Sequence, residues 1–239
     1  MQFLFTLIST IQKETAVLRI LSNHNPLTIY DLSNDLNVVK SFEKWCMLTS
    51  GLIVLSGPTG SGKTTTLHAL LSHIAKKYHK RIVSLEDPIE IIESSYLQLQ
   101  VNDKADFTYE EGIKQVLRHD PDVIMIGEIR DAYSAKMLIR AALSGHLVFT
   151  TIHGGNAVEV ILRFLEFDIN QQELKQVLLG ITSQRMFYDL NKQRKVCIYE
   201  IANKEEIEYY FENQKMAKSY QTIDEIIKQN KEYQNLQRL

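Results

Sequence analysis

Four stretches of the chain are apolar without alternation: residues 52–55, 82–85, 123–126 and 147–152. Runs of that length and continuity predict strands buried on both faces, as in a parallel sheet covered on each side by its crossovers. Helical spacing of apolar positions fits residues 63–78, 109–119 and 132–144, the second opening on a capping-box pattern, Thr108-x-x-Glu111. Residues 97–101 alternate, Leu-Gln-Leu-Gln-Val, and predict a strand with one wet face. Strand and helix in alternation argue for an α/β core built on a mainly parallel sheet.

The flanks read differently. Residues 3–8 and 16–21 predict two strands joined by a polar turn around Gln12, Lys13 and Glu14, and 23–26 is a breaker-rich loop. Residues 31–50 read as helix and contain the only tryptophan, Trp45. Helix is expected over 155–187, a short strand over 196–201, and a charged, weakly amphipathic helical segment over 204–239. The expected organisation is therefore 1–22 (two strands), 23–50 (linker and helix), 51–203 (core domain) and 204–239 (helical C-terminal region).

Composition narrows the classes. With 239 residues, 44% of them hydrophobic, the chain can bury a full core without disulfides or metals. Its 27 basic and 29 acidic residues leave a net charge of −2, with no basic surplus to suggest direct nucleic-acid binding. Cys46 and Cys197 are far apart and in no metal-ligand spacing, so reduced thiols and no zinc are expected. The apolar start, residues 1–8, lacks a preceding basic residue and a small-residue cleavage site, and reads as a strand rather than a leader. Nothing approaches the roughly 20 apolar residues of a membrane span. A cytoplasmic protein is expected.

Chemistry enters at Gly57-Pro58-Thr59-Gly60-Ser61-Gly62-Lys63-Thr64, a full G-x-x-x-x-G-K-[ST] match placed directly after one strand and before one helix. That context is what the phosphate loop requires. Glycines let backbone N–H groups face phosphate oxygens, and the helix adds its positive N-terminal end. Lys63 is expected to reach the β- and γ-phosphates and the Thr64 hydroxyl to ligate Mg²⁺, with Thr65 alongside; ATP and Mg²⁺ are the expected ligands. Acids follow two other strands: Glu86-Asp87-Pro88-Ile89-Glu90 after 82–85, and Glu128 after 123–126 with Gly127 before it. His153 follows 147–152. Ligands of open parallel sheets lie beyond the carboxyl ends of the strands, so Glu86, Glu90, Glu128 and His153 can all converge on the loop. His68, His73 and His79 read as structural or surface residues, and His146 as part of a helix–strand turn.

Four segments in this order resemble one family, the secretion and type IV pilus ATPases: 57–66 is similar to its Walker A box, 82–90 to its Asp box, 117–131 to its Walker B and 144–153 to its His box. The similarity runs from about residue 9 to about residue 201. It implies a RecA-like P-loop NTPase core, ATP hydrolysis with Glu90, Glu128 and His153 as functional residues, and a homo-hexameric ring. Within the family the chain most resembles the competence-type members. Those power assembly of a pseudopilus for DNA uptake from the cytoplasmic face of the membrane, through a polytopic platform protein and pilin-like proteins. General type II secretion, pilus retraction, and a shortened ATP-binding protein with little hydrolysis are the alternatives. The resemblance also implies an N-terminal domain of which only the last strands are represented. Leu7 stands where the family has an arginine before Ser9-Thr10, whereas Arg19 matches a family arginine that can reach the phosphates.

Overall fold

The computed structural model describes residues 2–9, 14–21, 27–233 and 235–238, with side chains described from residue 27 onward apart from Asp103 and Lys231. Strands β1 (Gln2–Ser9) and β2 (Glu14–Leu21) form an antiparallel two-stranded sheet in which Gln2 pairs with Leu21. The expected turn at Gln12 and Lys13 and the loop at 23–26 lie outside the described residues.

The chain then runs α1 (Leu36–Met47), β3 (Gly51–Ser56), α2 (Lys63–Tyr78), β4 (Ile82–Glu86) and β5 (Leu97–Gln100). It continues through α3 (Tyr109–Arg118), β6 (Val123–Ile126), α4 (Ala132–Leu143), β7 (Leu147–Ile152), α5 (Ala157–Glu166) and α6 (Gln171–Val177). Last come β8 (Leu178–Asp189), β9 (Arg194–Asn203), α7 (Lys204–Asn213), α8 (Ile223–Gln229) and β10 (Leu236–Arg238). The main sheet has the order β10-β8-β3-β7-β6-β4-β5, with β9 along the other side of β8. Pairings from β8 to β5 along that path are parallel, and β9 and β10 are antiparallel to β8.

Both faces of this sheet are covered, which is why its strands read as unbroken apolar runs. Leu52 and Val54 of β3 face one core with α3, α4, α5, α6 and α7, while Ile53 and Leu55 face a second core with α1 and α2. Each fully buried Leu, Ile or Phe on these faces contributes roughly 1.5–3 kcal/mol. This is a RecA-like P-loop core, in which β7 lies between the P-loop strand β3 and the strand leading to Glu128.

Four expectations need correction. The helix expected over 155–187 ends at Val177, and residues 178–189 form β8. A strand forms here because β3 and β9 offer pairing on both sides, and tertiary pairing overrides weak local preference. The strand expected over 196–201 is the longer β9 for the same reason. Residues 204–239 are not one helical stretch: α7 and α8 are separate, and β10 joins the sheet beside β8. At α3 only half of the capping box forms. Thr108 accepts from the Glu111 N–H at 3.3 Å, but the Glu111 carboxylate accepts from Gln115 instead.

Candidate active site

The phosphate loop is held from below by β8. Ser56 at the end of β3 shares a 2.6 Å hydrogen bond with Ser183, and Gln184 donates its Nε2 to the Ser61 carbonyl at 2.8 Å. Gly57 turns the chain at φ 140°, and a Cβ there would lie 2.3 Å from the Gln184 carbonyl oxygen. Gly60, at φ 81°, faces open space, and Gly62, at φ 89°, caps α2, whose first residue is Lys63. Three glycines in the left-handed region thus aim the loop amides and the helix start at one point. The buried Ser61 hydroxyl has no protein partner. A cradle of this kind fits a phosphate.

Lys63 folds back on its own loop, donating to the carbonyls of Gly57 at 2.8 Å and Pro58 at 3.0 Å. Burial pushes its amine below the usual lysine range, and the nearby Glu128 charge opposes that. In front of it opens a cavity of about 510 Å³ that Thr59, Thr64, Thr65, Glu86, Glu90, Glu128 and His153 all line. The carboxyl ends of β3, β4, β6 and β7 bring these residues together, and Pro58 and Ser61 belong to the same loop.

Glu128 is the centre of the opposite wall. His153 Nε2 lies 2.9 Å from one carboxylate oxygen and Arg130 Nε 3.0 Å from the other, while Arg130 also reaches Asp87 at 3.4 Å. The Glu128 backbone is pinned from α3: the Tyr109 hydroxyl donates to its carbonyl at 2.8 Å and accepts its N–H at 3.1 Å. Burial raises the Tyr109 phenol well above its ordinary value. Gly127 is held between strands by its N–H to the Leu85 carbonyl and by the Thr151 hydroxyl on its own carbonyl.

Glu86 occupies a different position. It is 4% exposed, and its carboxylate accepts from Ser84 at 2.8 Å and Gln98 at 2.9 Å, with His68 Nε2 at 3.3 Å. His68 in turn shares a hydrogen bond with the Tyr96 hydroxyl. Glu86 and His68 therefore tie α2, one turn beyond Thr64, to the sheet. Arg19 lies on β2 opposite Leu4, and its side chain is outside the described residues.

Sequence reading missed Gln184, Arg130, Tyr109 and also Met186, which lines the same cavity. Gln184 and Met186 fell in a segment read as helix. Arg130 had a signal, two residues from Glu128, but nothing local indicated that it would turn back onto that carboxylate.

The family described as type II/IV secretion system protein matches residues 1–238. The competence protein ComGA of Bacillus subtilis is 43% identical over 179 residues, which are 75% of this chain and 50% of that protein. ComGA of Streptococcus pneumoniae is 45% identical over 136 residues, 57% of this chain and 43% of that protein. The crystal structure of the pilus retraction motor PilT with bound ADP superposes with a TM-score of 0.79 at 29% identity, covering 99% of this chain and 71% of that one. The chain thus spans half or less of the length of these curated relatives. Among the described residues no helix is long and apolar enough to cross a membrane. By the match along nearly its whole length, the chain belongs to the type II/IV secretion system protein family.

Proposed function

We propose that this chain is an ATP-hydrolysing motor of the secretion and type IV pilus class that powers assembly of a competence pseudopilus for DNA uptake. The observation that carries the reading is the meeting of the phosphate loop, Glu90, Glu128 and His153 around one cavity at the carboxyl edge of a parallel sheet. The identity with two ComGA proteins supports the competence assignment over general secretion or retraction.

In this reading the amides of 57–65 bind the phosphates, and Lys63 exchanges its loop carbonyls for the β- and γ-phosphate oxygens. Mg²⁺, held by the Thr64 hydroxyl and a wall carboxylate, would neutralise charge building on those oxygens. Glu90 and Glu128 share the tasks of orienting water and holding the ion. His153 senses the terminal phosphate and passes its state through Gly154 and Gly155 to α5. The working form is a homo-hexamer at the cytoplasmic face of the membrane, peripheral to it, bound to a polytopic platform protein and acting through it on pilin-like proteins. DNA is not contacted directly.

Steady-state ATP turnover tests this, with Lys63→Ala as the binding-dead control. Glu90→Gln and Glu128→Gln then divide the two tasks. The variant that lowers kcat by about 100-fold or more with ATP affinity kept identifies the base. The variant that raises the Mg²⁺ requirement identifies the ion ligand. A wild-type chain that binds ATP yet turns it over no faster than Lys63→Ala would sink the motor reading. It would leave an ATP-binding protein with little hydrolysis, a state consistent with Glu128 engaged on both oxygens.

A further inference from the structure

Three cavities meet at the phosphate loop, and the Met186 side chain borders all of them. The largest, about 1060 Å³, joins the phosphate cavity at Thr59, Gly60 and His153, where the terminal phosphate is handled in the proposed function. The smallest of the three, about 320 Å³, joins it only at Gly62, Thr65 and Met186, with no residue from the ends of β6 or β7. In a phosphate loop the lysine reaches the outer phosphates and the loop amides cradle the inner ones. With the outer end placed at Lys63, Glu128 and His153, a nucleotide leaves the loop on the Thr65 side.

We propose that this smaller cavity is the nucleoside pocket and that Tyr233, near the C-terminal end, is the platform on which the adenine base lies. The inference rests on the ATP-binding reading and deepens it. The cavity volume lies at the lower end of the roughly 300–1,000 Å³ of small-ligand sites, enough for a nucleoside. Leu32, Met186, Val196 and Tyr233 give it apolar and aromatic surface suited to a flat base, while Asp31, Lys192, Arg194 and Lys195 put charge at its margin.

Tyr233 is held in place. It packs against the cluster of Phe187, Ile198 and Ile223, so β8, β9 and α8 back the ring. Its neighbour Glu232 lies 3.7 Å from Lys192, which also reaches Asp189 at 3.9 Å, fastening the segment to the β8–β9 turn. β10 continues the attachment by pairing Leu236 with Asp189. A fixed aromatic surface loses little conformational entropy when a base stacks on it. The C-terminal segment is therefore a wall of the nucleotide site, and nucleotide occupancy is communicated to it directly.

Calorimetric titration of the full chain with Mg-ATP and, separately, with Mg-tripolyphosphate separates base from phosphate recognition. Tyr233→Ala is expected to weaken ATP binding by about tenfold, in line with loss of base–aromatic stacking, and to leave tripolyphosphate unchanged. Tyr233→Phe, which keeps the ring, is expected to bind both as the wild type does. Unchanged ATP affinity in Tyr233→Ala would overturn the pocket, as would equal loss of ATP and tripolyphosphate, since that marks a structural effect. Wild-type protein that binds tripolyphosphate as tightly as ATP overturns the pocket alone. Wild-type protein that binds neither overturns the phosphate-loop reading together with it.

Discussion

Gly57 shows how little freedom the phosphate loop has at the scale of one residue. Its φ of 140° strains any L side chain, and a Cβ would press 2.3 Å from the Gln184 carbonyl, which belongs to a central strand and cannot yield. Gly57→Ala should therefore cost on the order of 1–3 kcal/mol at the loop, since strain of this kind is confined to the residues that carry it. The expected outcome is loss of ATP binding by titration with a thermal midpoint lowered far less than for a core truncation. A melt that collapses with binding intact would contradict this. The loop itself was legible in the sequence because eight adjacent residues write it. Its support was not: Gln184 meets Ser61 across 123 positions, and nothing near either residue announces the contact. Glu86 shows the converse. Sequence placed it correctly at a strand end, yet only the packing reveals that Ser84, Gln98 and His68 already engage its carboxylate.

At the scale of elements, the strands and helices of 51–152 were legible because continuous apolar runs and helical spacing are local signals of a doubly covered sheet. β8 was not. Leu178-Leu-Gly-Ile-Thr-Ser-Gln-Arg-Met-Phe lacks a β-branched run, and it becomes a strand through its two neighbours. Gly180 on that strand gives a direct test, since a Cβ there would lie 2.4–2.6 Å from the Trp45 indole that fixes α1 to the sheet. Gly180→Ala should destabilise by about 1–3 kcal/mol through overpacking, read as a lower urea midpoint with an unchanged slope. A second joint of elements is Glu200 on β9, whose buried carboxylate accepts from the Tyr220 hydroxyl and from the first N–H groups of α5 and α8, Ala157 and Ile223. Burial pushes its pKa above the ordinary 4.5, and the three donors only partly offset that. A raised folded value favours the protonated native state, so this contribution is fully present below pH 4.5 and is lost as pH rises through the folded value. Glu200→Gln cannot ionise. The stability difference between wild type and Glu200→Gln should thus shift against the wild type as pH rises from 4.5 toward neutrality, and a difference constant with pH would refute the assignment.

At the scale of the whole molecule, the proposed site is open to solvent on one side. The His153 side chain is 58% exposed and that of Arg130 59%, and the cleft of about 1060 Å³ borders loop residues 57–61 from the side of α5. Phosphoryl transfer gains from electrostatic groups acting where water is excluded, because there their charge is poorly screened. In the proposed hexamer a neighbouring copy of the chain supplies a second surface that covers the cleft. An arginine offered across such an interface can raise turnover by about 10³-fold or more. It follows that specific activity should depend on protein concentration. Turnover per chain is expected to rise with total chain and to level off where sedimentation shows assembly complete. In the proposed hexamer ATP binds the assembled form better than the single chain, so saturating ATP, with whichever of Glu90→Gln and Glu128→Gln keeps ATP affinity but turns over slowly, should move that assembly to lower concentration. A chain that stays monomeric with ATP bound, and whose turnover per chain is constant over the same range, would show that the site is complete within one copy.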